Sequence, residues 1–168
     1  MKHTGAFRFS IIAVSIALLD QFTKRLVVYG LSPTDEKTII DGFLKLVHWG
    51  NTGAAWSMFH GNNEFLAILS LAALLGLILG RRHFAIHTKL GQIAFGCVLG
   101  GIIGNMIDRL FVHHVIDFLR FYLYQRGGEE IGFPAFNVAD IAICTGVGLL
   151  FLLSWQREGK SSEAIESP

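Results

Sequence analysis

The sequence predicts a mainly α-helical membrane protein with four transmembrane helices and a small extracytoplasmic β-cradle. Hydrophobic residues make up 52% of the 168 residues and charged residues only 16%, and the mean hydropathy is +0.49. These values are too apolar for an ordinary soluble domain. The apolar residues form four runs, each close to the roughly 20 residues that a helix needs to cross a bilayer. Shorter runs with partial alternation lie between the first two, which indicates the β-rich part.

The four runs define one integral membrane domain over residues 1–157. They cover residues 9–29, 65–82, 90–108 and 136–155. The segment 158–168 is polar and contains serine and glutamate, so we expect a disordered tail there. Charges within the first run, and the lack of a small-residue cleavage site after it, argue against a cleavable signal peptide.

Basic residues predict that both termini face the cytoplasm, because Lys and Arg favour cytoplasmic loops. Seven lie on the terminal side over short segments, and five lie on the opposite side over much longer ones. The seven are Lys2, Arg8, Arg81, Arg82, Lys89, Arg157 and Lys160; the five are Lys37, Lys45, Arg109, Arg120 and Arg126.

The first outer segment, about residues 36–60, is expected to be β-rich and to rest on the bilayer. Two short runs with partial alternation, 38–40 and 43–49, flank the turn residues Asp41 and Gly42. This pattern predicts a β-hairpin.

Polar residues inside or beside the apolar runs are the candidate functional residues. Burying an ionisable group at a membrane boundary costs free energy, so such groups usually form ion pairs or serve the protein's function. Gly96, Gly100 and Gly104 recur every fourth residue, which predicts close helix packing. Asn105 and Arg109 share a neighbouring face. Arg109 either extends to lipid phosphates or holds a substrate or a carboxylate.

Asp20 and Lys24 stand four residues apart in the first run, so their side chains can pair. A structural ion pair is the preferred interpretation. Catalysis by Lys24 would need a positioned serine, and the sequence indicates none.

Asp117 and Asp140 are the candidate catalytic pair. Asn137 is a natural N-cap, which places Asp140 at the third helical position, where the helix dipole favours an acid. Capping alone could explain Asp140, but it does not explain Asp117 between apolar neighbours. Two adjacent carboxyl groups share one proton, an arrangement suited to deprotonating water and protonating a leaving amine. The dipole favours Asp140 as the more ionised member, with Asp117 holding the proton.

Other functions remain open from the residues alone. A proton-coupled transporter also carries intramembrane charges, although no internal repeat is visible. A metalloprotease could recruit His113, His114 and Asp117, but HHxxD is not a standard zinc motif. The net charge of +1 gives no sign of a nucleic-acid partner. Cys97 and Cys144 lie within apolar runs, so we expect them to be small core residues without a disulfide or zinc role.

Five motifs, in order along the chain, resemble the lipoprotein signal peptidase (signal peptidase II) family. They are interleaved with the four spans, and together they are highly specific. The motifs are Asp20-Gln-Phe-Thr-Lys24, Asn51-Thr-Gly-Ala-Ala-Trp-Ser57, Gly100-Gly-Ile-Ile-Gly-Asn-Met-Ile-Asp-Arg109, Val115-Ile-Asp-Phe118 and Phe136-Asn-Val-Ala-Asp140.

The resemblance implies an aspartic endopeptidase of the bacterial inner membrane, with its active site near the extracytoplasmic face. It would remove the signal peptide from a diacylglyceryl-modified prolipoprotein by cleaving before the lipidated cysteine. The family's two catalytic aspartates fall on Asp117 and Asp140. Positions that bind substrate or support the pair fall on Asn51, Gly53, Asn105, Arg109 and Asn137, and architectural ones on Asp20 and Lys24.

The family also implies partners and a fold. No metal or organic cofactor is expected, the cyclic peptide globomycin is the expected inhibitor, and the protein would act in membrane lipid as a monomer. The family fold adds a short helix lying on the membrane. Gly50 and Trp56 depart from the family pattern, and residues 125–132 read as a mobile loop between the aspartates.

Overall fold

The structure is a computed structural model that describes residues 2–53, 59 and 61–166, with side chains described between residues 7 and 156. In this part of the chain, long helices alternate with short strands. The elements are α1 (Lys2–Gly30), β1 (Glu36–Ile40), β2 (Leu44–Asn51), α2 (Asn63–Gly80) with a short 3₁₀ turn (Arg81–His83), α3 (Lys89–Phe111), β3 (Val115–Tyr124), β4 (Glu130–Gly132) and α4 (Val138–Glu166).

Helix α3 is the centre of the bundle, and glycines let its neighbours approach it. A Cβ on Gly100 would lie 2.7 Å from the carbonyl oxygen of Ala13 on α1, and one on Gly96 would lie 2.8 Å from Ile12. On the α4 side, a Cβ on Gly146 would lie 2.6 Å from the carbonyl oxygen of Ala94. The predicted packing role of the glycine strip is therefore confirmed, with α1 as its partner.

Three helices in the described residues are long and apolar enough to cross a membrane. They span Asn63–His83, Lys89–Phe111 and Val138–Gln156. The fourth predicted span, residues 9–29, lies within α1, which is 29 residues long but carries Asp20, Lys24 and Arg25.

Helix α4 continues to Glu166, across most of the segment 158–168 that was expected to be a disordered tail. The prediction of disorder rested on polarity. Polar residues such as Gln156, Arg157 and Glu158 are good helix formers, and no proline lies between Pro134 and Pro168. The helix therefore continues beyond the apolar residues of the candidate span, which ends at Gln156.

A four-stranded antiparallel sheet, in the order β1-β2-β3-β4, covers one end of the bundle. The predicted hairpin of β1 and β2 is confirmed, and its turn residue Gly42 has φ +69°. The block that follows β2 is described only to Gly53, so the expectation for Trp56 lies outside the described residues.

The sheet extends beyond the predicted 36–60 segment, because β3 and β4 come from residues 115–132. Residues 125–132, expected to be a mobile loop, form the end of the β3–β4 hairpin, with Gly127 and Gly128 at positive φ. Glu130 of this hairpin pairs with Lys45 of β2 and Arg120 of β3. The ion pair between Glu130 and Lys45 joins this hairpin to β2, which is distant in sequence. Local sequence patterns do not reveal such a contact.

Candidate active site

The candidate site lies where α3 ends, β3 begins and α4 starts. Asp117 is the third residue of β3 and is 3% exposed. Asp140 is the third residue of α4 and is partly buried. The backbone N–H and C=O of Leu119 bond with those of Phe136, both at 2.9 Å, which lays the segment before α4 along β3. This bridge brings residues 117 and 137, which are 20 apart in sequence, side by side.

One asparagine contacts both acids. Asn137 is fully buried, and its side-chain Nδ2 donates to Asp117 Oδ1 at 2.7 Å. Its backbone N–H donates to Asp140 Oδ2 at 3.1 Å, and its Oδ1 accepts from the Asp140 N–H at 2.9 Å. These two reciprocal bonds are a capping box, which confirms the predicted N-cap. The two carboxyl groups therefore converge on Asn137.

The remaining carboxyl oxygens also accept amide hydrogen bonds. Asn51 Nδ2 donates to Asp117 Oδ2 at 3.0 Å, and Asn105 Nδ2 donates to Asp140 Oδ1 at 2.8 Å. The Asn105 amide is oriented by its other contacts, because its Oδ1 accepts from Lys24 Nζ at 2.9 Å and from Asn137 Nδ2 at 3.2 Å. Its N–H groups must then face Asp140.

Burial is the main cause that raises the pKa of Asp117 to about 7, and the charge of Asp140 raises it further. Hydrogen bonds from Asn51 and Asn137 stabilise the ionised form and offset part of this shift. A carboxyl group with a pKa near neutrality can hold a proton or release it at neutral pH, which is the property that general acid–base catalysis requires.

Arg109 is buried, with 8% of its surface exposed, so it does not extend to lipid phosphates. Its Nη2 donates to the Gly53 carbonyl at 2.9 Å. The Gly53 N–H donates to Asn51 Oδ1 at 2.9 Å, which turns the Asn51 amide towards Asp117. Arg109 also contacts Asn63, whose Nδ2 donates to the Arg109 carbonyl at 2.9 Å. The arginine therefore fastens the segment after β2 to α3 and α2.

A buried charge cluster lies beneath the site. Lys24 Nζ is 2.7 Å from Asp20 Oδ2 and 2.7 Å from Asp108 Oδ2, and all three side chains are almost fully buried. The predicted Asp20–Lys24 pair is thus confirmed. The other oxygen of Asp20 accepts from the Ala139 N–H at 2.9 Å, so the cluster also reaches the first turn of α4.

Sequence reasoning gave no specific role to three polar residues: Asp108, Gln21 and Asn63. The signals were present, since Asp108 lies among the ionisable residues at the end of the third apolar run and Gln21 follows Asp20 in the first of the five motifs. Asn63 begins α2 as a polar residue before an apolar run. Their partners are on other helices, so only the tertiary structure shows their contacts.

The histidines after α3 do not gather with other ligands. No group of three or more His, Cys, Asp or Glu side chains that could hold a metal occurs in the described part of the chain. His114 instead packs on β2, where a Cβ on Gly50 would lie 2.8 Å from the ring. The departure from the family pattern at Gly50 makes room for this ring.

Comparisons with known proteins identify relatives of this chain. The family model described as "Signal peptidase (SPase) II" matches residues 12–156. A lipoprotein signal peptidase of Anoxybacillus flavithermus is 34% identical over 98% of this chain and 97% of its own, and one of Symbiobacterium thermophilum is 39% identical over 84% and 90%.

Solved structures agree as well. A bacterial membrane enzyme superposes with a TM-score of 0.78 at 28% identity, covering 89% of this chain and 88% of that one. A second superposes with a TM-score of 0.72 at 29% identity, covering 85% and 89%. On the family match over residues 12–156 and the relatives above 30% identity, the chain belongs to the signal peptidase II family of aspartic endopeptidases.

Proposed function

We propose that this protein removes the signal peptide from diacylglyceryl-modified prolipoproteins by cleaving before the lipidated cysteine, with Asp117 and Asp140 activating water. The relatives carry the name lipoprotein signal peptidase, and this supports the substrate class. The observation that carries the proposal is the pair of hydrogen bonds by which Asn137 holds both acids.

Asp140 acts as the base in this mechanism. It lies in the first turn of α4, where the helix dipole favours the ionised carboxylate. It takes a proton from water, and the hydroxide attacks the carbonyl carbon of the scissile peptide bond. Asn105 and the Asn137 N–H hold the two oxygens of Asp140, so the orientation of the base is set before substrate binds.

Asp117 acts as the acid. With a pKa of about 7, a substantial fraction of Asp117 carries a proton at neutral pH, and this protonated form is the active one. Each of its oxygens accepts one amide hydrogen bond, which leaves a second lone-pair direction for that proton. The carboxylic acid stabilises the developing oxyanion and then passes its proton to the leaving amine. At the end of the reaction, Asp140 carries the proton taken from water and Asp117 has given its proton to the amine, so the dyad still holds one proton.

The supporting residues act through contacts already present. Asn51, Asn105 and Asn137 orient the acids. Arg109 and Gly53 hold the segment that carries Asn51, and this segment is next to where the substrate backbone would lie. Asp20 and Lys24 hold the architecture. We propose no metal or organic cofactor for the reaction.

Four membrane crossings fit this function, with α1 as the fourth span. Asp20 and Lys24 face inwards with 0% and 1% exposure, whereas Leu18, Phe22 and Leu26 are each more than half exposed. An apolar outer surface around inward-facing charges is what a helix in lipid requires. Four antiparallel crossings place the sheet and the acids on one side and both termini on the other. The basic residues assign the termini to the cytoplasm, so the site faces outwards at the inner membrane.

The substrate geometry follows from this topology. A signal peptide is a membrane-anchored helix, and its lipidated cysteine lies near the outer headgroups, at the level of Asp117 and Asp140. The acyl chains would occupy an apolar cleft that opens to the bilayer. We propose that the enzyme acts as a monomer in membrane lipid and that globomycin inhibits it.

The test is incubation of the purified protein with a diacylated prolipoprotein, with and without globomycin, followed by a gel. Asp117→Asn and Asp140→Asn should each lower the rate by at least about 10²-fold, as loss of a general acid or base does, while the protein stays folded. Asp35→Asn, an exposed aspartate between α1 and β1, is the matched control and should cleave normally. Near-normal turnover of either dyad variant would remove that residue from the chemistry.

A further inference from the structure

We propose that Asp108 is a positioning residue that sets the place of Asp117 by binding the backbone of Ile116. This inference rests on the proposed function, because it assigns Asp117 to the reaction. Asp108 is 1% exposed and lies in the last turn of α3. It is eight residues before Ile116 and touches neither catalytic acid directly in its hydrogen bonds.

One carboxylate joins three elements. Asp108 Oδ2 accepts the Ile116 backbone N–H at 3.1 Å and lies 2.7 Å from Lys24 Nζ. Its Oδ1 accepts from Gln21 Nε2 at 2.7 Å. Asp108 thereby ties β3 to α3 and to α1. A buried carboxylate with several strong donors is held in one orientation, because moving it would leave buried donors without an acceptor.

The bond to β3 falls beside the catalytic acid. Ile116 immediately precedes Asp117, and its carbonyl also accepts a long 3.4 Å contact from Asn137 Nδ2. The backbone of Ile116 is therefore held at its N–H by Asp108 and at its C=O by Asn137. Ile116 is also opposite Gly50 in the β2–β3 pairing, and Asp117 is opposite Trp49. Loss of the Asp108 bond would free the α3 side of this peptide, and the Asp117 carboxyl would move with it.

Helix α3 supports each catalytic acid with a different side chain from one face. Asn105 and Asp108 are three residues apart, so they share that face. Asn105 bonds Asp140, and Asp108 bonds the residue before Asp117. Lys24 joins the two supports, because its three N–H groups reach Asn105, Asp108 and Asp20. The separation between the two acids is thus set by α3.

Two substitutions separate positioning from simple charge pairing. Asp108→Asn keeps an oxygen that can accept the Ile116 N–H but removes the charge beside Lys24. Asp108→Leu removes both. A displacement of about 1 Å at a catalytic group can cost about 10²-fold in rate. We therefore expect kcat to fall about 10²-fold in Asp108→Leu and about tenfold in Asp108→Asn, with KM within about twofold of the parent because Asp108 does not touch substrate.

The control for lost stability is Leu99→Ala, a buried residue nine positions earlier on α3, which is about 13 Å away at 1.5 Å per residue. Its cavity should lower the melting temperature without lowering kcat. All rates are measured well below the melting temperature of every variant. Equal kcat in the Asn and Leu variants, or a loss no larger than in Leu99→Ala, would overturn the positioning role.

Backbone hydrogen exchange across residues 115–118 gives a readout that does not need activity. Asp108→Leu should speed exchange there, and Leu99→Ala should not. Unchanged exchange in Asp108→Leu would contradict the inference even if its activity fell. If the parent protein fails to cleave prolipoprotein but exchange at residues 115–118 is still faster in Asp108→Leu than in the parent, the proposed function is overturned and the positioning of β3 by Asp108 is supported.

Discussion

Replacement of Lys24 by methionine should destabilise the protein through charge imbalance. The parent cluster holds one cation and two carboxylates, Asp20 and Asp108, each 2.7 Å from Lys24 Nζ. Its formal charge is therefore −1. Lys24→Met changes this charge to −2 in a region with almost no solvent exposure, and Asn105 Oδ1 loses a donor as well.

The magnitude follows from what is left behind. Removing one partner of a buried ion pair costs about 3–5 kcal/mol, because an uncompensated buried charge remains. One kcal/mol shifts the melting temperature by roughly 2–4 °C in a chain of this size. We expect Lys24→Met to melt about 6–20 °C lower than the parent in detergent, with a lower yield of inserted protein.

A second substitution tests the cause. The double variant Lys24→Met with Asp20→Asn returns the formal charge to −1, and the asparagine oxygen can still accept from the Ala139 N–H. It should melt higher than the single variant. Arg25→Met, an exposed basic residue on the same helix, is the matched control and should melt like the parent. A stable, inactive Lys24→Met protein, or a double variant no more stable than the single one, would refute this reasoning.

Two further predictions concern pH and packing. The kcat should fall as pH rises through about 7, because Asp117 must hold a proton and its pKa is raised to about 7. The stability that protonated Asp117 contributes is fully present below the ordinary pKa of 3.8 and is lost as pH rises from there to about 7. Asp117→Asn should therefore melt above the parent at pH 8 and close to it near pH 3.8; a constant difference between the two pH values would contradict this. Gly100→Leu should prevent α1 from packing on α3 and lower the melting temperature, because a Cβ on Gly100 would already lie 2.7 Å from the Ala13 carbonyl oxygen. Gly148→Leu is the control and should leave the melting temperature unchanged, because no heavy atom lies within 4 Å of its Cβ position. Equal melting temperatures of the two variants would count against close α1–α3 packing.

Much of the local structure could be predicted from the sequence. Runs of apolar residues predicted the helices, and the hairpin turn at Asp41 and Gly42 was visible as a short polar break. The pairing of Asp20 with Lys24 followed from helical spacing. The cap formed by Asn137 followed from its place before an apolar helix. These features depend on neighbours within one or two turns.

The rest depends on contacts between distant segments. Strand β3 carries Asp117 but was not predicted, because a strand is stabilised by its partner and β2 lies more than 60 residues earlier. Strand β4 was predicted as part of a loop, and it pairs with β3. The roles of Asp108 and Gln21 became visible only when α1 and α3 were placed side by side, because each bonds to the other on a neighbouring helix.

The residue types and their spacing were sufficient to predict a membrane protein. They also identified the positions that can cap or pair along a helix and the two acids that are candidates for catalysis. Only the tertiary structure decided that Asn137 joins those acids, that Arg109 faces inwards, and that Asp108 binds the strand beside Asp117. The physical reason is range: helical propensity and capping act over a few residues. The hydrogen bonds of a buried site are chosen by whichever chain segments packing brings together.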